Sequence, residues 1–313
     1  MATQRIAVVT GGNKGIGFAI VKELCAKFEG RVYLTARDEG RGATAVEELK
    51  KLGLSPHFHQ LDIDNQDSIN KFSEYIKNTY GGLDVLVNNA AIAYKRAATE
   101  PFGEQAENTI RVNYFGTLAL CHALFPLLRP HARVCHVSSS CGHLSEICGD
   151  EPAATQLRAK LSADTLTENE LADLMNQFVE TAKDGTFRQK GWPGSTYVVS
   201  KVGVSALTRI QHRAFLSDSR EDIVVNSCHP GYVDTDMTSH KGPRTIEQGA
   251  ACPAYLALLP PHISEPRGAY LWHDKSVVDW TNKKPAPVCV CVCVLAEFMF
   301  TLVLSVLHDT IIW

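Results

Sequence analysis

No C-x-x-C pair and no Cys/His cluster with ligand spacing occurs before residue 281, although the chain carries ten cysteines. Seven of the ten stand singly, so free thiols of a reducing compartment are expected, with neither a disulfide framework nor a metal site suggested. A strong charge of either sign is also missing. The net charge of -3 and a pI near 6.5 exclude the basic field that nucleic acid requires, and no acidic tail is present. Only Met1 to Arg5 precede the apolar run Ile6-Ala7-Val8-Val9, which is too short for a signal-peptide core. The expectation is a cytoplasmic chain without nucleic-acid partners.

What is present is ordinary for a soluble globular domain: 313 residues, 45% hydrophobic and 21% charged. Residues 5–10 read as a buried strand running into Thr10-Gly11-Gly12-Asn13-Lys14-Gly15-Ile16-Gly17, after which Phe18, Ile20, Val21, Leu24 and Phe28 mark an amphipathic helix. Strand, glycine turn and helix form a dinucleotide-binding unit. Glycines permit the tight turn and close backbone approach, and the helix N-terminus receives a pyrophosphate. The next strand, residues 32–36, ends in Arg37-Asp38, where the adenosine ribose is read. Arg37, with Lys14, suits the extra phosphate of NADPH, whereas Asp38 would suit the ribose hydroxyls of NAD.

A helix follows, then a third strand over residues 58–63, whose Asp62 and Ile63 are placed to face adenine. A further helix leads to residues 83–91, a strand ending in Asn88-Asn89-Ala90-Ala91. Paired asparagines there either line the ligand crevice or tie down loops. Residues 104–129 read as one long helix with Asn113 among apolar positions, where a polar side chain holds either a kink or a water. A fifth strand, residues 133–137, delivers Ser138-Ser139-Ser140 at its end. The alternation predicts a doubly wound parallel α/β sheet of Rossmann type in a single domain.

Tyr197 and Lys201 stand four residues apart, on one face of a helix. A free phenol seldom moves a proton near neutrality, its pKa being about 10, but a neighbouring cation favours the phenolate. Together with the glycine turn, Asn88-Asn89-Ala90, Asn113, Ser139 and His229-Pro230-Gly231, this pair resembles the short-chain dehydrogenase/reductase family over residues 5–280. Within it, Leu34-Thr35-Ala36-Arg37-Asp38, the run from Phe58 to Asp64 and the run from Tyr255 to Pro261 look most like monomeric NADPH-dependent carbonyl reductases, fish 20β-hydroxysteroid dehydrogenases included.

The resemblance implies roles. Tyr197 gives a proton to a carbonyl oxygen, Lys201 lowers the tyrosine's pKa and binds the nicotinamide ribose, Ser139 bonds the carbonyl oxygen, and Asn113 holds a water that replaces the proton. It further implies cofactor contacts from Gly11, Asn13, Lys14, Gly15, Ile16, Gly17, Arg37, Asp62, Ile63, Asn89, Tyr197, Lys201, Pro230, Gly231, Val233 and Thr235. Substrate contacts fall to Ser139, Cys141 and Tyr232. Ala91 replaces the usual glycine, with strain expected if its φ is positive, and His229 and Tyr232 depart from the common pattern. The alternative is a nucleotide-binding regulatory protein of the same fold without turnover.

Between Ser139 and Tyr197 the chain inserts residues 141–192. There Thr167-Glu168-Asn169-Glu170 is a capping box, Leu171, Leu174, Phe178, Val179 and Ala182 share a helical face, and Gly185 stops the helix. In carbonyl reductases a similar insert covers the surface through which relatives oligomerise, so a monomer is implied. The reductase domain is expected over 1–280, with residues 281–313 an atypical hydrophobic tail. Its 288–307 run is long enough to span a bilayer, but Glu297 in it would cost roughly 2.5 kcal/mol or more in lipid. The Val/Cys alternation of residues 288–293 is what a TG-dinucleotide repeat encodes, which favours an alternative 3′ end; membrane contact requires the anchor reading.

Overall fold

Every residue of Ile6-Ala7-Val8-Val9 is buried, and the run forms β1 (Ile6–Val9) in the interior of a largely parallel sheet. The computed structural model describes residues 4–282 apart from residue 96; the expected tail, 288–307 run included, lies outside the described residues from 283 onward. In chain order follow α1 (Gly15–Lys27), β2 (Arg31–Ala36), α2 (Glu39–Lys51), β3 (His57–Gln60), α3 (Gln66–Tyr80), β4 (Leu83–Asn88), α4 (Phe102–Ile110), α5 (Thr117–Leu124) and β5 (Leu128–Val137). Then come α6 (Ala153–Ser162), α7 (Glu168–Asp184), α8 (Thr196–Phe215), β6 (Val224–Cys228), α9 (Ile246–Ala257), β7 (Tyr270–Leu271) and β8 (Val277–Val278). The strand order is β3-β2-β1-β4-β5-β6-β7-β8, parallel except for the β7/β8 pair. Chain order reverses between β1 and β4, the crevice in which such sheets bind ligands.

The two-residue period of the strands explains why both faces are covered. Ala7, Val9, Val32, Leu34, Val85 and Val87 pack with α1, α2 and α9, whereas Ile6, Val8, Tyr33, Leu86 and Val134 pack with α3 and α5. A third apolar cluster joins α4 and α8 to the insert. Leu171, Met175, Phe178 and Trp192 meet Ile110, Tyr114, Val199 and Val202 there. The capping box at Thr167 and Glu170 forms as expected, and Gly185 ends α7 at φ 81°. α6 was not anticipated.

The long helix expected over 104–129 is a composite. α4 passes into a π-helical turn at Arg111–Gly116, then α5, then a 3-10 turn at Phe125–Leu127. Pro126 ends the helical path, because its ring and missing N–H cannot continue the ladder. Consequently β5 starts at Leu128, before the expected residue 133, and pairs with Leu83 ahead of a register shift. The third and fourth strands stop at Gln60 and Asn88, leaving Asp62, Ile63 and Asn89 in the loops that follow.

Candidate active site

The glycine turn after β1 is tightened by contacts that leave no room for side chains. A Cβ on Gly17 would lie 2.2 Å from the Gly11 carbonyl oxygen and 2.5 Å from Asn89 Nδ2, and Gly11 and Gly15 have φ of 62° and 56°. Asn89 Nδ2 donates to the carbonyls of Thr10 (2.9 Å) and Gly11 (3.2 Å), so its amide ties down the turn. α2, α3, α7, α8 and α9 have side-chain caps, but α1 begins after Lys14 with none. α4, α5 and α6 also lack such a cap, but α1 is the one that follows the glycine turn, where first-turn N–H groups suit a phosphate. Asn13 and Ile16 are half-buried in the same turn.

At the end of β2, Asp38 Oδ1 accepts the Arg41 N–H at 2.8 Å and caps α2, while Arg37 is exposed. The acidic group is thus engaged and the cation open, as a 2′-phosphate requires. Lys14 departs from expectation: its Nζ pairs with Asp236 at 2.6 Å across the crevice, so it would have to leave that partner to meet a phosphate. Asp62 accepts the Asp64 N–H (3.0 Å), and Ile63 is buried against the π-helical turn at Gly116.

Tyr197 and Lys201 sit at the start of α8. Ser195 caps that helix by accepting the Val198 N–H, which places Tyr197 in the first turn and Lys201 one turn later. Lys201 is 4% exposed; its Nζ donates to the Val137 carbonyl at 2.7 Å and lies 5.7 Å from the centre of the Tyr197 ring. Burial lowers the Lys201 pKa from 10.5 to about 8. Burial also raises the Tyr197 pKa well above its ordinary value, with a hydrogen bond from Ser139 pulling the other way. Burial therefore opposes the depression expected from the lysine. Desolvation wins, and Tyr197 is held protonated.

Ser139 is fixed from several sides. Its Oγ accepts the Cys141 N–H at 3.2 Å, and its carbonyl accepts the Tyr270 hydroxyl at 2.6 Å. Trp280 Nε1 donates to the Gly142 carbonyl at 2.6 Å, and Ser138 Oγ bonds Ser205 Oγ at 2.8 Å. A Cβ at Gly142 would lie 2.8 Å from the Lys201 carbonyl oxygen, so the loop passes α8 at backbone distance. Sequence reasoning missed Tyr270 and Trp280, since neither stands in a chemical motif.

Asn113 lies in the π-helical turn, buried. Its Oδ1 accepts the Ile92 N–H (2.8 Å) and its Nδ2 donates to the Ile92 carbonyl (2.9 Å) and Ser200 Oγ (3.0 Å). This matches the kink reading of Asn113, which sits at the helical irregularity and braces the loop after β4 against α8. Ala91 is absent from the positive-φ residues, so the strain expected there does not arise.

The loop after β6 covers the turn. Pro230 is buried, Gly231 has φ 96°, Val233 is 1% exposed, and Thr235 Cγ2 would be 3.3 Å from a Cβ on Gly15. Lys95, from the loop after β4, donates to the carbonyls of Asp236 and Met237 and to Ser239 Oγ. Three loops thus close on one crevice, and Lys95 is a third residue the sequence reading missed. Cys141 is half-buried beside Ser139, whereas Tyr232 is 52% exposed on the loop surface.

A parallel sheet with an uncapped phosphate cradle and a Ser–Tyr–Lys set at its carboxyl end defines a nucleotide-dependent oxidoreductase of Rossmann type. The profile of the short chain dehydrogenase family matches residues 5–156. Carbonyl reductase (NADPH) 3 of Rattus norvegicus is 50% identical over 277 residues, covering 88% of this chain and 98% of the relative. Carbonyl reductase (NADPH) 1 of Homo sapiens is 48% identical over 277 residues, with the same coverage. Salutaridine reductase from Papaver somniferum superimposes with a TM-score of 0.75 at 32% identity, over 85% of this chain and 99% of that one. The chain belongs to the short-chain dehydrogenase/reductase family.

Proposed function

We propose that Tyr197, Lys201, Ser139 and Asn113 form the catalytic set of an enzyme that reduces carbonyl compounds to alcohols with NADPH. The chain is an oxidoreductase of this kind by its half-identity with NADPH carbonyl reductases over nearly their full length. The observation that carries the catalytic assignment is the meeting of Ser139, Tyr197 and Lys201 at one buried corner beside the glycine turn. When bound, NADPH supplies a hydride to the carbonyl carbon. Arg37 holds its 2′-phosphate, and the turn from Gly11 to Gly17 holds its pyrophosphate. Asp62 and Ile63 flank the adenine, and Pro230, Gly231, Val233 and Thr235 secure the nicotinamide.

Tyr197, protonated at neutral pH, gives its proton to the carbonyl oxygen as negative charge gathers there. Ser139 donates a hydrogen bond to the same oxygen. Lys201, charged below about pH 8, stabilises the phenolate left behind. Both Nδ2 hydrogens of Asn113 go to Ile92 and Ser200, so its water-ordering role near Lys201 falls to acceptor positions, the second lone pair of Oδ1 included.

The substrates are ketones, aldehydes and quinones, steroids and prostaglandins included, with Cys141 and Tyr232 at the mouth. The reductase domain is residues 1–280. α6 and α7 cover the face of α4 and α8, which supports a monomer, and the free thiols at Cys25, Cys121, Cys135, Cys141, Cys148, Cys228 and Cys252 support a cytoplasmic setting. Among the described residues no helix is long and apolar enough to cross a membrane. A panel of carbonyl compounds assayed with NADPH and NADH, on the full chain and on a chain ending at residue 280, tests the proposal. NADPH oxidation with a simple quinone is expected, and wild-type activity in Tyr197→Phe refutes the mechanism.

A further inference from the structure

At the amino end of the sheet, away from Tyr197, three non-glycine residues with positive φ meet: His131 (63°), Asp222 (59°) and His262 (59°). Such backbone is disfavoured for side chains of this size and persists where the surroundings enforce it. His131 lies near the start of β5, and its N–H donates to the Glu221 carbonyl at 2.9 Å, which fixes the two residues side by side. His262 follows α9, and its N–H donates to Asp222 Oδ2 at 2.7 Å. The imidazoles meet edge to face with centres 4.8 Å apart.

The orientation of His131 is set by Asp222. Arg133 and Arg267 hold this carboxylate at 2.9 and 2.6 Å, the pairing of an ionised group. An ionised carboxylate can only accept, so His131 Nδ1, 3.1 Å away, carries the proton. Its Nε2 then presents a lone pair outward. There it faces Glu221 Oε1 at 3.7 Å, and His262 Nε2 faces the same oxygen at 3.6 Å. Donors bound tetrahedrally to zinc, with bonds near 2.0–2.1 Å, stand about 3.3–3.4 Å apart. Each histidine nitrogen thus stands within a few tenths of an ångström of that spacing from Glu221 Oε1, and Glu221 and His262 are exposed, with room to rotate.

We propose that His131 Nε2, His262 Nε2 and Glu221 Oε1 bind a divalent transition ion of the zinc type, with Asp222 orienting His131 from behind and water filling the fourth position. A carboxylate on the far nitrogen of a ligating histidine is the common supporting arrangement of such sites. Two imidazoles favour zinc, nickel or copper over magnesium or calcium, which prefer all-oxygen shells. Arg133 and Arg267 have their charge offset by Asp222, which both of them bond. The ion would pin the turn after α9 to the β5/β6 edge without touching the reductase site.

The experiment is a titration of the full chain with Zn²⁺ and Co²⁺, comparing wild type with His262→Asn and His131→Asn. Asparagine tolerates positive φ, so both variants keep the backbone. Thiolates are general ligands for such ions and the tail carries Cys289, Cys291 and Cys293, so stoichiometry and spectrum decide. The wild type should take up one equivalent more than either variant. That equivalent should show Co²⁺ d–d bands without a thiolate charge-transfer band, and its affinity should fall at least tenfold in each variant. Thermal stability should rise with Zn²⁺ more in wild type than in the variants, while NADPH-dependent reduction is the same in all three. Equal stoichiometry and equal spectra in wild type and variants overturn the site.

Discussion

The two ends of the sheet are built by opposite rules. At the carboxyl end some polar groups are left open: the α1 N–H groups have no side-chain cap and Arg37 is exposed. At the amino end carboxylates are saturated. Asp84 Oδ2 accepts the Ile6 N–H at 2.7 Å and Arg129 at 2.9 Å, and Asp222 accepts from Arg133, Arg267, His131 and the His262 backbone. The difference teaches that a ligand end is made by withholding internal partners and a foundation by supplying them. Substitutions at the two ends should therefore separate activity from stability.

The largest effect is expected at Tyr197. Tyr197→Phe should lower kcat/KM for a quinone roughly 10²–10⁴-fold, the usual worth of a positioned acid, with the thermal midpoint nearly unchanged. At the opposite end Asp222→Ala strands Arg133, which is 2% exposed. The expected loss is about 3–5 kcal/mol of stability, seen as a midpoint lower by on the order of 10 °C, with KM for NADPH unaltered in the folded protein. Because the Asp222 pKa is depressed in the native state, its stabilisation is full above the ordinary carboxylate pKa of about 3.9 and is lost as pH falls toward the native value. Acid should therefore weaken the wild type over that range and leave Asp222→Ala less affected. If Tyr197→Phe proved unstable, or Asp222→Ala stable but inactive, the division between the ends would fail.

Lys201 gives a pH-dependent version of the same contrast. Its native pKa of about 8 lies below the unfolded value, so the charged, phenolate-stabilising form is present below pH 8 and disappears above it. kcat/KM for reduction should be level on the acid side and fall about tenfold per unit well above pH 8. The same depressed pKa makes the unfolded chain bind more protons between about pH 8 and 10.5, so stability rises with pH there as activity falls. A rate profile measured beside urea midpoints from pH 6 to 10 checks both signs.

Legibility in the sequence follows the same division. The carboxyl end was readable because its chemistry restricts residue types locally: glycines where backbone approaches a phosphate, and a Tyr and Lys one helical turn apart. The amino end was not, because Arg133, Asp222 and Arg267 are ordinary charges until the sheet brings residues nearly a hundred positions apart together. The long helix through Asn113 was misread for a different reason. Apolar periodicity runs through the π-helical turn without marking it, and only Pro126 signalled that helix could not reach residue 129. Tyr270 and Trp280 were invisible as supports of the Ser139 loop, since a hydrogen bond to a backbone carbonyl leaves no motif. The capping box at Thr167, by contrast, is local and was read correctly with its Gly185 stop.

The smallest predicted effect tests how far the carboxyl end depends on unpartnered charge. Arg37 is exposed beside Asp38, whose carboxylate is engaged at the start of α2. Removing the guanidinium in Arg37→Ala therefore deletes one contact to the 2′-phosphate without releasing a competing acid. KM for NADPH should rise roughly tenfold, equivalent to about 1.4 kcal/mol and near the low end for a hydrogen bond to a charged group. KM for NADH, which lacks that phosphate, should not move, and raising the salt concentration should narrow the gap between wild type and variant because the contact is solvent-exposed. Were Lys14 the main phosphate ligand instead, Arg37→Ala would be nearly silent. Asp236→Asn, which frees Lys14 from its 2.6 Å partner, would then tighten NADPH binding, so the two variants together assign the cation that reads the cofactor.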